Sequence, residues 1–216
     1  MSETCPVLTI AYLDPSDLAA PRAEQAELRT RTGRALPLVD LRVVDEGGEV
    51  ARDGRSTGEF VVRAPWLTQG YLKDQKATDK LWSGGALHTG DVAWLDARGF
   101  VKITDRMKDV VKVGGEWISS LEIEDVLSAH PGVAEVAVIG IPDAKWGERP
   151  LALVVPRAEQ KDRLTERDLH HHARDYVEKG VLPKLVAVLA VKFVDVIERT
   201  GVGKVNKVAL RKRYLA

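Results

Sequence analysis

Only one cysteine, Cys5, stands among the 216 residues of this chain. That excludes an intramolecular disulfide framework and fits a reducing, cytoplasmic setting. No charge of one sign dominates, since lysine plus arginine and aspartate plus glutamate each number 32, so no global field favours nucleic acid or an anionic membrane. No apolar run approaches the roughly 18–20 residues of a membrane span, and no secretory signal opens the chain. Internal repeats, low-complexity tracts and a Walker-type G-x-x-x-x-G-K-[ST] loop are missing as well. Three of the five histidines are consecutive, His170 to His172. Consecutive helical residues point about 100° apart and cannot share one ion, so zinc is not expected.

What is present suffices for a globular chain. At 44% hydrophobic content, 216 residues can bury a core and form one large or two small domains. Residues 39–44 and 60–63 read as strands with a Gly47-Gly48 turn between them, and 74–82 as a short helix. Segments 91–95 and 100–104 pair around Ala97-Arg98-Gly99. From Val110 the pattern becomes mixed: a strand, a helix over 119–130, strands over 134–141 and 151–155, a helix over 165–177, a strand over 191–194 and a last helix from Asn206. Ser119 and Glu122 have capping-box spacing, which makes Glu122 and Glu124 capping and solvated residues of their helix. On the helix over 165–177, the stripe Leu169, His172, Ala173, Tyr176, Val177 predicts a buried His172 with exposed neighbours. Trp66, Trp82, Trp94 and Trp146 read as packing residues. The fold class is α+β: a β-rich first part followed by a smaller α+β unit.

Four segments carry chemistry. His88-Thr89-Gly90-Asp91 predicts a tight glycine-containing turn whose exit carboxylate, Asp91, can face two vicinal hydroxyls with two oxygens. Asp105-Arg106 follows. Gly114-Gly115 offers backbone that a ligand can approach closely, or simply a turn. In Gly201-Val202-Gly203-Lys204 a lysine follows two glycines, so a long cationic stem can reach into a site and withdraw. The alternative makes Lys204, Lys207, Arg211, Lys212 and Arg213 a solvated basic tail. That reading is favoured for 211–213.

The order HTGD, DRMKD, GGEWIS, GVGK resembles the acyl-CoA synthetase branch of the adenylate-forming enzymes, most closely the medium- and long-chain fatty acyl-CoA synthetases. The resemblance covers nearly the whole chain. It implies ATP, Mg²⁺ and coenzyme A as cosubstrates and a fatty acid as the acid. It makes residues 1–104 the end of a large AMP-binding domain, 105–108 a hinge with Lys108 at the pivot, and 109–216 a mobile lid. It assigns Asp91 and Arg106 to the nucleotide, Lys204 to catalysis, and Gly114 and Gly115 to the channel for the pantetheine arm of coenzyme A. Met1-Ser2-Glu3-Thr4 looks like the interior of the family's ATP motif, with Glu3 the magnesium-associated carboxylate, so the resemblance implies a chain that starts mid-enzyme. The family's Ser/Thr/Gly-rich phosphate loop ending in PKG and its adenine-stacking aromatic are not found here, which predicts a protein inactive by itself that calls for the missing N-terminal part. Val188 and Ala190 stand where relatives carry a proline and a basic residue, and Glu198 replaces a proline. Gly58-Glu59 and Gly70-Tyr71 match a further motif read as structural. Two alternatives stay open: an aryl-acid or carrier-protein-directed adenylating enzyme, and a noncatalytic interaction module with the lid fold.

Overall fold

The computed structural model describes residues 1–5, 7–201 and 203–215, and the chain divides into two compact units, Met1–Met107 and Lys108–Ala216. No helix among the described residues is long and apolar enough to cross a membrane.

The first unit is built on a seven-stranded antiparallel sheet. Its strands are β1 (Thr9–Ile10), β2 (Gly33–Ala35), β3 (Asp40–Asp45), β4 (Gly48–Glu49), β5 (Thr57–Arg63), β6 (Leu87–Leu95) and β7 (Phe100–Arg106), in the order β1-β2-β7-β6-β5-β3-β4. Alternation along β3 and β5 puts Leu41, Val43, Phe60 and Val62 into one core with Leu67, Leu81, Leu87, Ala93, Leu95 and Val101. The predicted helix is α3 (Gln75–Leu81), capped by Asp74, whose carboxylate accepts from the Ala77 amide at 2.9 Å. The Gly47-Gly48 turn closes β3 onto the two-residue β4, and β5 pairs with the other edge of β3. Trp66 and Trp82 pack against this core.

Between β1 and β2 lie α1 (Pro15–Leu18) and α2 (Arg22–Thr30). Polar groups bind this excursion to the sheet. Arg98 bonds both Asp17 oxygens, at 2.8 and 2.6 Å, Arg34 bonds Asp14 at 2.6 Å and Arg31 bonds Asp96 at 2.6 Å. All three guanidinium groups lie 4.4 to 5.6 Å from the centroid of the buried Phe100 ring.

The second unit places helices beside a five-stranded sheet of order β10-β11-β8-β9, with β12 parallel on β11. Its elements are β8 (Val111–Val113), β9 (Glu116–Ile118), α4 (Ser120–Ser128), β10 (Val133–Asp143), β11 (Gly147–Pro156), α5 (Glu166–Glu178), β12 (Ala190–Phe193) and α6 (Lys207–Tyr214). Ile123, Val126 and Leu127 of α4 and Leu169 and Ala173 of α5 close over Val111, Val113, Ile118, Val138, Ala152 and Val154. Ile139, Leu151, Leu153, Ile197 and Leu210 fill the other side. Ser119 caps α4 by accepting from the Glu122 amide at 3.1 Å, while Thr165 and Asp168 form a reciprocal capping box on α5.

Three expectations need correction here. Glu124 is not a solvated helix residue: it is largely buried, accepts from the Val138 amide at 2.7 Å and pairs with Lys207 at 2.7 Å. The basic tail is solvated only in part: Lys207 also donates to Ser120 at 2.7 Å and Arg211 binds Asp109 at 2.9 Å, whereas Lys212 and Arg213 are exposed as expected, Arg213 lying 3.1 Å from Glu198. His172 is only half-buried, its Nε2 lying 3.0 Å from the Val126 carbonyl, and His170 is half-buried as well. Glu198, in place of proline, carries two links to α6, its carboxylate on Arg213 and its carbonyl accepting from the Asn206 amide at 2.8 Å.

Candidate functional site

In the first unit the site grows from an irregularity in β6. Val61 pairs with His88 and Glu59 with Val92, so Phe60 alone faces Thr89, Gly90 and Asp91. The predicted HTGD turn is therefore a bulge inside a strand, with Gly90 at φ +69°, a left-handed conformation suited to glycine. Thr89 spans it, its hydroxyl donating to the Phe60 carbonyl at 2.7 Å and accepting from the Asp91 amide at 3.1 Å.

The bulge aims Asp91 across the sheet. Asp91 and Arg106 are direct register partners on β6 and β7, which is why residues 15 apart in sequence meet. Arg106 Nε lies 2.7 Å from Asp91 Oδ1, yet that buried oxygen makes no hydrogen bond of good geometry among the described residues. Burial pushes the Asp91 carboxyl up; the Arg106 charge opposes this and the Glu59 charge adds to it. Arg106 leaves more than half of its side chain in solvent.

Arg106 and Glu3 line one cleft of about 550 Å³ with Glu59, Tyr71, Lys80 and His88. Glu3 sits in a single 3-10 turn and accepts from the Tyr71 hydroxyl at 2.7 Å. That bond, chiefly, holds the Glu3 carboxyl below its ordinary range and pushes the Tyr71 hydroxyl up. Asp91 opens instead onto a smaller cavity of about 310 Å³, with Thr4, Leu8, Thr32, Phe60 and Ile103. Sequence reasoning missed Glu59 and Tyr71 as neighbours of this site. Both belong to motifs read as structural, and their partners are 29 and 68 residues away in sequence.

Glu3, Asp91 and Arg106 thus fall in one unit, and Gly114, Gly115 and Lys204 in the other. Lys108 is exposed in the turn between β7 and β8. Gly114 and Gly115 form the two-residue turn of the β8–β9 hairpin, at φ +59° and +92°, with Val113 opposite Glu116. The expected strand–turn–helix is therefore strand–turn–strand before α4. An added Cβ at Gly114 would come within 3.3 Å of the Trp146 ring, whereas Gly115 has open space. Lys204 ends a closed loop: the Thr200 amide donates to its carbonyl at 2.7 Å, and its own amide donates to the Thr200 hydroxyl at 3.2 Å. Arg199 pairs with Val205 across the base of that loop, and the Lys204 side chain is exposed. Val202 lies outside the described residues.

Two family profiles match the chain: AMP-binding enzyme over residues 1–72, and AMP-binding enzyme C-terminal domain over residues 122–204. The chain belongs to the AMP-binding enzymes. It is 42% identical over 216 residues to a long-chain-fatty-acid–CoA ligase of Thermus thermophilus, a match covering 99% of this chain and 39% of the relative. A 3-methylmercaptopropionyl-CoA ligase of Ruegeria lacuscaerulensis is 40% identical, with 99% and 38% covered. Among solved structures, the o-succinylbenzoate CoA synthetase of Bacillus subtilis, in complex with its acyl-adenylate, superposes with a TM-score of 0.78 at 27% identity, covering 98% of this chain and 40% of that one. The chain thus spans about two fifths of the length of these AMP-binding enzymes.

Proposed function

We propose that this chain supplies part of the nucleotide site and the lysine-bearing lid of an ATP-dependent fatty acid:coenzyme A ligase. Such a ligase joins a carboxylate to the α-phosphate of ATP, releasing pyrophosphate, and then passes the acyl group from AMP, which leaves, to the thiol of coenzyme A, which gives up its proton. The observation that carries this reading is Asp91, a buried carboxylate whose Oδ1 is approached by Arg106 at 2.7 Å without a well-aligned hydrogen bond, beside a small cavity walled by Leu8, Phe60 and Ile103. Two vicinal ribose hydroxyls would meet the acceptor they need, and a nucleobase would meet an apolar wall. Arg106, already beside Asp91 and largely solvated, is free to turn toward a ribose or phosphate oxygen.

Glu3 suits one position around Mg²⁺. No group of three or more acidic, histidine or cysteine side chains able to hold a metal exists among the described residues, so the ion would be held by one carboxylate and by ligand phosphates, as Mg²⁺ commonly is. When bound it neutralises phosphate charge. Lys204, at the end of its glycine loop, is the group that stabilises negative charge between the attacking carboxylate and the α-phosphate. Gly115, with nothing beside its Cβ direction, offers the backbone along which the pantetheine arm runs. Lys108 is the pivot that presents one or the other of these elements to the reaction. Fatty acids are favoured as substrates by the 42% identity to the Thermus ligase. An aryl acid is the second reading, supported by the likeness to the o-succinylbenzoate synthetase.

The test uses a chimera in which this chain replaces the matching 39% of the Thermus ligase. Lys204→Ala should lower acyl-AMP formation on the order of 10²-fold or more, the scale of removing one preorganised electrostatic donor. Thioester formation from supplied acyl-AMP should stay within a few fold. An unchanged adenylation rate refutes the role of Lys204, and a preference for o-succinylbenzoate over palmitate refutes the fatty-acid assignment.

A further inference from the structure

We propose that Glu59 is a positioning residue for Asp91: one carboxylate that grips the β6 bulge at His88 and at Gly90 and so sets the direction in which Asp91 points. The inference rests on the ribose role proposed for Asp91 and extends it to a residue whose two carboxylate oxygens are already engaged by the bulge.

The need for such a residue follows from the bulge. Phe60 alone stands opposite Thr89, Gly90 and Asp91, so the regular ladder cannot hold all three. The Phe60 carbonyl is taken by the Thr89 hydroxyl, the Gly90 carbonyl accepts from the Met107 amide at 2.9 Å, and the Asp91 amide turns back onto Thr89. The Gly90 amide finds its acceptor in a side chain, Glu59 Oε1, at 3.1 Å. The other oxygen, Oε2, lies 2.8 Å from His88 Nδ1, and His88 Nε2 lies 3.0 Å from the Ser83 carbonyl. Glu59 therefore holds the residues one and three places before Asp91, with both of its oxygens engaged and most of its side chain buried.

Glycine makes this grip consequential. Gly90 sits at φ +69°, and a glycine released from its acceptor can leave that conformation at little steric cost. Asp91 is the next residue, so its carboxylate would sample directions that no longer meet both ribose hydroxyls, and affinity that depends on preorganisation would fall. The placement also works against Asp91 in one respect. The Glu59 charge adds to burial in pushing the Asp91 carboxyl up, so a second carboxylate here is an electrostatic handicap for which geometry is the return.

The experiment titrates AMP into the full 216-residue chain and follows amide resonances, for the parent, Asp91→Ala, Glu59→Ala, Glu59→Gln and the double alanine variant. Asp91→Ala should weaken AMP about tenfold or more. Glu59→Ala should weaken it roughly five- to tenfold. Glu59→Gln keeps an oxygen for the Gly90 amide and should stay within about twofold of the parent. In the Asp91→Ala background, Glu59→Ala should change nothing further, because a positioning residue has no effect once the group it positions is gone. Should Glu59→Ala fail to fold, Glu59→Asp, one methylene shorter, takes its place in the series. Parental affinity in Glu59→Ala, or losses that add in the double variant, overturns the inference while leaving the ribose role of Asp91 standing. Parental affinity in Asp91→Ala, or no AMP binding by the parent, overturns both.

Discussion

Asp91 is buried near Glu59, an arrangement unfavourable to its own ionisation that the pair with Arg106 offsets only in part. Because burial and the Glu59 charge raise its carboxyl above the ordinary aspartate value, the folded protein takes up a proton here before the unfolded chain does. The cost to the fold is full above the folded-state pKa and vanishes below the unfolded value of about 3.9. Asp91→Asn should therefore be more stable than the parent at neutral pH, with the difference shrinking as pH falls, while AMP affinity drops roughly tenfold or more. Paired melting curves at pH 7 and pH 4, read beside a nucleotide titration, check both halves. A variant less stable than the parent at pH 7 would mean that the Arg106 pair outweighs burial. Asp91 and Arg106 stand in recognisable motifs, whereas Arg211 reads as a solvated cation because its partner Asp109 is 102 residues away. Burial of a long side chain along its stem leaves no local mark in sequence.

The same contrast governs the elements. Capped helices were legible, since Asp74, Ser119, Thr165 and Asn206 each accept from an amide within the first turn of the helix they start. The short strands β1, β2 and β9 were not: they gain their pairing from partners elsewhere and show no period of their own. With β9 in place, Gly114-Gly115 is a hairpin turn whose two positive φ angles already call for glycine. Gly115→Ala should thus cost about 1 kcal/mol through backbone strain, roughly 2–4 °C in Tm for a chain of this size. Gly114→Ala adds pressure on Trp146. In the chimera, thioester formation should fall further for Gly115→Ala than that stability loss explains, with adenylation retained; parallel loss of both steps would leave the pair a turn and nothing more. Lys108→Pro probes the segment between β7 and β8. Proline fixes φ near −65° and removes a donor, so the two half-reactions should separate, adenylation surviving better than transfer to coenzyme A. A parental rate of thioester formation, by single-turnover measurement on a variant with unchanged melting, removes the pivot from Lys108.

Across the molecule, each unit closes its own core: Val43, Phe60, Val62 and Leu87 anchor the first, and Val111, Ile123, Leu127, Ala152 and Leu169 the second. The candidate groups are divided accordingly, with Glu3, Asp91 and Arg106 in Met1–Met107 and the lysine loop in Lys108–Ala216. Sequence spacing made the motifs and their order readable. It could not make the aim of Asp91 readable, because that depends on a bulge held by a carboxylate 31 residues upstream of Gly90. On the function proposed above, the groups present in these units would bind a ribose and answer charge on an α-phosphate. Nothing in the sequence matches the Ser/Thr/Gly-rich loop that the resemblance implies for the outer phosphates, and oriented backbone amides are the means by which such loops hold a pyrophosphate. The 216-residue chain by itself should therefore bind AMP through Asp91 and yet fail to activate a fatty acid. Palmitate-dependent exchange of labelled pyrophosphate into ATP measures this directly, with Lys204→Ala as the baseline. The expected rate is indistinguishable from that baseline, and the chimera carrying the same residues should exceed it. Exchange by the chain alone above the Lys204→Ala control would show that the outer phosphates are held by groups within these two units, and the division of labour argued from Asp91 and Lys204 would have to be redrawn.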